Sequence, residues 1–177
     1  NGGAVLIAAG PETDPEFYNR WRYEGAPVPP AKLDTPVTVQ TAPGAVPPSP
    51  AVETFSHPAL NIFRETPGDL GLVGFQSYWR LLPDPAAARA SVGGRMRNGD
   101  PFLVSGRVGE GRVMMLPFSL DPRNGNLPSS TAFVPLMHQL IYHLASFEHG
   151  NLNVNYAPGA VLPLPLYAPG RSGRSRR

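Results

Sequence analysis

Ser119, Asp121 and His138 are the side chains in this sequence whose types suit a hydrolytic relay: a hydroxyl nucleophile, a carboxylate and an imidazole base. Ser119 and Asp121 follow an apolar strand candidate, and His138 lies on the helix expected after it. Strand ends in α/β folds open onto crevices where such groups can meet. Ser119 stands in Pro117-Phe-Ser-Leu-Asp121 and lacks the Gly-x-Ser-x-Gly turn that exposes a nucleophile. Asp121-Pro122 also has an ordinary use as a turn. A serine-dependent hydrolase using Ser119, His138 and Asp121 is therefore the enzymatic alternative, and not the favoured reading.

The remaining chemistry is thinner. With 0 cysteines, the chain supports no thiol nucleophile, disulfide or thiolate-bound metal of its own. His138 and His143 are five apart, which turns them about 140° from each other on a helix, so they do not form the i,i+4 face of a zinc site. No metal and no cofactor is expected. Gly106-Arg-Val-Gly-Glu-Gly111 has no phosphate-loop lysine and reads as a hairpin joining two strands. Trp21, Tyr78 and Trp79 are candidate contact residues, Trp21 with Phe17 and Tyr18 at helical spacing, and Arg107 and Arg112 are candidates for meeting an acidic partner.

Composition narrows the partners. The formal charge of +2 comes from 15 basic and 13 acidic residues, and Arg171, Arg174, Arg176 and Arg177 crowd the end of the chain. Without those four, 11 basic residues face 13 acidic ones, a body at −2. Such a body offers no broad basic face, and nucleic-acid binding is not expected. No apolar run approaches the roughly 20 residues of a membrane span. The chain opens on Asn1-Gly-Gly-Ala-Val-Leu-Ile-Ala-Ala-Gly10, which reads as the interior of a domain, so upstream sequence is expected.

The elements that must position these groups are legible in outline. The run from Ala4 to Ala9, bounded by glycines, suits a strand buried on both faces. Asp14-Pro-Glu16 can cap and start a short helix carrying Phe17, Tyr18 and Trp21. The stretch from 26 to 50 is rich in proline and reads as an extended surface excursion, with one short edge strand at Val37–Gln40. Leu60 and Phe63 point inward from a short helix or turn, and Tyr78 and Trp79 take opposite faces of a strand ending at Pro83. A hairpin joins strands at 101–105 and 112–118. A helix over roughly 132–147 follows, capped by Ser130 or Thr131, with Phe133, Leu136, Met137, Leu140, Ile141, Leu144 and Phe147 on its apolar face.

Gly2-Gly-Ala-Val-Leu-Ile-Ala-Ala-Gly10, His57-Pro, Tyr78-Trp, Gly109-Glu-Gly-Arg-Val-Met-Met-Leu-Pro-Phe-Ser-Leu-Asp121 and Leu127-Pro…Phe133-Val-Pro-Leu-Met-His138 resemble the glutamine-amidotransferase-like domain of bacterial BatA-type, aerotolerance-regulator-like membrane proteins. The resemblance covers residues 1–148 and is strongest over 106–145. It implies a partial flavodoxin-like, class I amidotransferase-like α/β domain with a β-hairpin and a long C-terminal helix. Amidotransferase chemistry needs a cysteine, and its absence implies a non-catalytic structural or interaction domain. The resemblance further implies a membrane-associated bacterial parent, with other domains of that protein or envelope-associated proteins as partners. Residues 149–168 would begin a β module or linker, and 169–177 a disordered basic tail. A soluble protein-binding module working through the proline-rich segment is the third reading.

Overall fold

The computed structural model describes residues 2–39, 46–66, 68–84, 86–87 and 89–146. In chain order the elements are β1 (Ala4–Ala8), α1 (Pro15–Arg20), β2 (Arg22–Tyr23), β3 (Ala26–Pro27), β4 (Ala31–Thr38) and β5 (Pro50–Ala51). They continue with α2 (Asn61–Glu65), β6 (Ser77–Pro83), β7 (Ser91–Met96), β8 (Pro101–Val108), β9 (Gly111–Leu116) and α3 (Phe133–Ala145), separated by short 3-10 turns. The fold is α/β, as expected. The positions proposed for a β module and a basic tail lie outside the described residues.

The main sheet runs β1-β9-β8-β7-β5. β1 pairs parallel with β9, Leu6 opposite Met114, and the other neighbours are antiparallel. The expected hairpin forms between β8 and β9, longer than its apolar cores, with Val108 paired to Gly111 across Gly109-Glu110. Gly109 has φ +55, the left-handed conformation that a two-residue turn needs at its first position.

β9 feeds two cores because successive side chains of a strand point to opposite faces. Met114 and Leu116 join Phe55, Leu60, Phe75, Phe102, Leu136 and Leu140 on the face covered by α3 and the segment around α2. Val113 and Met115 join Ile7, Leu33, Trp79 and Leu81 on the other. That second face is covered by the β4–β6 ribbon, against which α1 packs.

The proline-rich stretch departs from expectation. Val28, Ala31 and Leu33 are buried in the second core, so much of the segment is a wall of the domain and not a surface excursion. β4 is eight residues long and accommodates Pro36 at a register shift after Leu33, where a residue without an N–H disturbs the ladder least.

α3 also differs in detail. Leu136, Leu140 and Leu144 are its buried residues, Phe133 and Met137 flank them, and Ile141 is 55% exposed. The contact stripe follows the 136–140–144 line because the turn at Pro58–Leu60 packs against the helix. Neither Ser130 nor Thr131 caps it. Asp69, 62 residues earlier, accepts the N–H groups of Thr131 at 2.8 Å and Ala132 at 3.0 Å, while Ser130 Oγ is buried with no hydrogen-bond partner among the described residues.

Segment 55–57 lies directly on Gly93-Gly94 of β7, where Ser56 and His57 donate to the Gly93 carbonyl at 2.8 and 3.0 Å. A Cβ on Gly94 would stand 2.5 Å from Phe55 Cδ1 and 3.2 Å from Leu60 Cδ1. The Phe55 ring cannot swing away, because it stacks on Phe102 at 5.2 Å. Gly94→Ala is expected to destabilise the fold by about 1–3 kcal/mol, the usual cost of overpacking. Adding Phe55→Leu should recover part of that loss, and a double-mutant cycle of urea unfolding measures the coupling.

Candidate functional site

Two concave regions sit at opposite ends of β9. At the carboxyl end, β1 runs into Ala9-Gly10 and β9 into Pro117-Phe118-Ser119. Trp79 locks these ends to β6: its indole N–H donates to Gly10 O at 2.8 Å, and its backbone N–H to Pro117 O at 2.7 Å. Thr13 closes the turn after β1, its Oγ1 accepting from Gly10 N–H at 2.8 Å and its N–H donating to Gly10 O at 3.0 Å. A Cβ on Gly10 would stand 3.3 Å from Ser119 Cβ, so the two strand exits nearly touch. Beyond them opens a cleft of 530 Å³ lined by Glu12, Asp14, Tyr18, Ser119, Asp121 and Arg123, among others.

Ser119 and Asp121 therefore share the cleft, as α/β topology leads one to expect. The groups are already engaged. Ser119 Oγ accepts the N–H of Asp121 at 3.0 Å. The Asp121 carboxylate takes Arg123 through Nε at 3.1 and 3.0 Å, through Nη2 at 2.6 Å, and through the backbone N–H at 2.8 Å. The Arg123 side-chain and backbone hydrogen bonds hold the Asp121 pKa down at about 2. Such a carboxylate has little proton affinity at neutral pH. His138 does not line this cleft; it is exposed on α3, with its ring 6.1 Å from that of Tyr142. The three sequence candidates are not brought together.

The candidate contact residues are dispersed. Tyr78 and Trp79 are 4% and 6% exposed and belong to opposite cores. Tyr78 is a packing residue with a polar tip: its hydroxyl donates to Asp100 Oδ2 at 2.7 Å and accepts from Asn98 Nδ2 at 2.8 Å. Burial, then the Asp100 hydrogen bond, raises its pKa to about 12. Trp21 remains near the surface, packed with Phe17 at 6.0 Å and Tyr18 at 6.1 Å. Tyr23, 57% exposed, lies on β2 two residues after Trp21.

At the amino end of β9, Arg107 and Arg112 line a cavity of 140 Å³ with His57, His143, Arg89 and Ser105. His57 and His143 are 86 residues apart in sequence, yet their rings meet edge to face at 4.6 Å. No local pattern in the sequence announces this pair; in the structure His57 starts the turn before α2 by accepting the Ala59 N–H at Nδ1, 3.2 Å away. Among the described residues no group of three or more His, Asp or Glu side chains is placed to hold a metal ion.

No protein-family model matches the chain, and no curated protein does. One solved structure, "Cytoplasmic Protein STM3548 from Salmonella typhimurium", is similar with a TM-score of 0.59 and 20% identity. The likeness covers 81% of this chain and 55% of that one, so this chain spans about half the length of that protein. At this identity the likeness establishes the fold. The expectation of a bacterial membrane-associated parent is corrected here, because the protein that shares the fold is named a cytoplasmic one. No helix among the described residues is long and apolar enough to cross a membrane.

His57 gives the domain a definite pH response. Its pKa is lowered from 6.5 to about 4 by burial first, then by the nearby His143 and Arg112. The folded state thus takes up its proton later than the unfolded chain does. Stability from this group is complete above about pH 6.5 and is lost as pH falls toward 4, by about 3 kcal/mol in all. His143 is shifted the same way, by burial and Arg112. Asp69 and Asp121, both lowered, respond only below their unfolded values near 3.8. Urea unfolding followed across pH should show stability rising between about pH 4 and 6.5. His57→Asn, which retains a helix-capping side chain, should flatten that rise.

Proposed function

We propose that this is a non-catalytic interaction domain whose partner contacts the aromatic face of α1 and the polar cleft beside it. The observation that carries the reading is the exposure of that face. Phe17 keeps 57% of its surface in water and is held there by edge-to-face packing on Tyr18 at 5.2 Å and by Trp21 at 6.0 Å. Exposed, mutually braced aromatics have the composition of interface hot spots, with large contact area at little ordering cost. Tyr18 links the two features, since it packs in the aromatic group and also lines the cleft. Glu12, Asp14 and Asp121 against Arg123 give the cleft an acidic bias, which suits a protein segment bearing apolar and basic side chains.

The hydrolase reading loses support from the same cleft, because Ser119 is bonded to a backbone N–H and Asp121 is committed to Arg123. The proline-rich reading loses support because Pro27, Pro29 and Pro30 are buried. Kinship with amidotransferase-like domains, carried by residues 106–145, is part of this proposal and accords with a scaffold that has no cysteine.

Photo-crosslinking in the native host tests it. A crosslinking amino acid at position 17 should yield a discrete protein adduct, and one at Ile62, 46% exposed, should not. Phe17→Ala should weaken partner binding roughly tenfold or more. Absence of an adduct at position 17 would overturn the proposal. So would labelling by a fluorophosphonate that Ser119→Ala removes.

A further inference from the structure

The main sheet has two edges of different kinds. β5 closes one of them; it is two residues long and begins with Pro50, too short and too poor in donors to recruit a further strand. β1 closes the other. Gly3 O accepts from Arg112 N–H at 2.9 Å, and Ala9 N–H donates to Leu116 O at 3.0 Å, so the odd-numbered residues of this strand bond to β9. Backbone groups alternate sides along a strand, and the N–H and C=O of Ala4, Leu6 and Ala8 therefore face away from the sheet. No described residue bonds to them. Between Gly2 and Gly10 there is no charge, no proline and no bulge, the devices by which proteins blunt an open edge.

Apolar packing stops short at the same edge. Val5 and Leu6 are only partly buried, and they belong to opposite cores. Over the Leu6 face, α3 touches both β1 and β9. His143 meets His57 on the flank of α3 that looks toward β7, because His57 is bonded to Gly93. At 100° per residue, Ile141 is turned about 160° from His143. Ile141 and Val134, 55% and 73% exposed, thus share the flank of α3 above the free edge of β1, with the partly buried Met137 beside them. From Phe133 to Ala145 the helix contains no Asp, Glu, Lys or Arg. The edge is an unpaired backbone ladder bordered by apolar, uncharged side chains.

We infer that this edge pairs with β1 of a second copy of the chain, antiparallel about a two-fold axis at Leu6. Ala4-Val-Leu-Ile-Ala8 is nearly palindromic, so the axis sets Ala4 opposite Ala8, Val5 opposite Ile7 and Leu6 opposite its own copy. In an antiparallel pair, opposed residues whose backbone groups face the partner strand exchange both hydrogen bonds. The outward N–H and C=O of Ala4, Leu6 and Ala8 are then all satisfied at once. With strands about 4.8 Å apart and α3 lying over β1 and β9, the two copies of α3 stand about 10 Å apart, a helix-packing distance. That brings the exposed Ile141 of each copy toward the axis, and no like charges oppose each other there. A patch that complements itself in this way is what a two-fold dimer requires. The pairing calls on no residue of α1, so it stands apart from the partner surface proposed above.

Sedimentation equilibrium of the full chain across the micromolar range, with amide hydrogen exchange on the same samples, tests the inference. One strand pair and one helix flank make an interface at the small end of the range, so a reversible monomer–dimer equilibrium is expected. Protection of the Ala4, Leu6 and Ala8 amides should rise with concentration. Ala8→Pro costs a single copy no hydrogen bond, because that N–H is unbonded there, yet it removes a donor from the pair and sets its ring against the second strand. It should weaken self-association at least tenfold and leave the unfolding midpoint of the dilute protein little changed. Ile141→Glu, at an exposed position, opposes two carboxylates across the axis and should act in the same direction; it serves if the proline variant fails to fold. A chain that stays monomeric throughout would overturn the inference, whether or not those amides are protected. A dimer that both variants leave intact, or that Phe17→Ala alone disrupts, would overturn it too.

Discussion

The structure depends on the burial of β9 on both faces. Val113, Met114, Met115 and Leu116 are all 3% exposed or less, and neighbouring residues belong to different cores. A one-residue slip against β1 or β8 would exchange the side chains between two differently shaped walls, so register is strongly specified. That register sets Ala8 opposite Leu116 and Arg107 opposite Arg112, and thereby fixes what meets at each end of the strand. The carboxyl-end cleft and the basic cavity are both consequences of one alignment.

Covering both faces of a short sheet takes material from distant parts of the chain. One face receives α3 and the segment from Phe55 to Phe63, and the close approach at Gly93-Gly94 lets that segment lie against β7. The other receives the β4–β6 ribbon, held by Trp79 bonded to Gly10 and Pro117. The ribbon accommodates part of the proline content, Pro36 within β4 and Pro83 at the end of β6. Prolines that would break a central strand are tolerated in a two-stranded ribbon with a register shift, and there they reduce the entropy lost on folding.

Local signals in the sequence were strong where short-range physics decides the outcome. Asp14-Pro-Glu16 marks the start of α1, and Asp14 Oδ1 does accept the Glu16 N–H at 2.9 Å. The glycine-flanked strand at β1, the Gly109 turn and the opposed faces of Tyr78 and Trp79 are of the same kind. Signals failed where a remote residue substitutes for a local one. Asp69 takes the cap of α3 from across the fold, and no pattern near Ser130 or Thr131 announces it. Ile141 fits a helical stripe, but which side of a wide stripe is buried depends on what packs there. The hydrolytic candidates failed for another reason: spacing in sequence placed Ser119 and Asp121 together, while the face of α3 that carries His138 is set by tertiary contacts. The basic cavity was half visible, through Arg107 and Arg112, and its histidines were not, because their meeting depends on the packing of His57 against β7 and α3.

The two ends of β9 are joined by a rigid connection, and that limits how they can communicate. Coupling between distant sites requires an element with two arrangements of similar free energy, which a ligand at either end can bias. A strand interdigitated with two cores has no second packing available without disrupting both, since interiors near crystal density do not deform continuously. α3 is a different kind of link. It is anchored near its start by Asp69 and near its end by the bond from Arg112 to the His143 carbonyl, and Val134, Ile141 and Tyr142 on its outer face remain exposed. The cavity at the amino end of β9 is thus tied to the last turn of α3 as well as to the sheet. The fold thus sets two separate concavities on one closely packed frame.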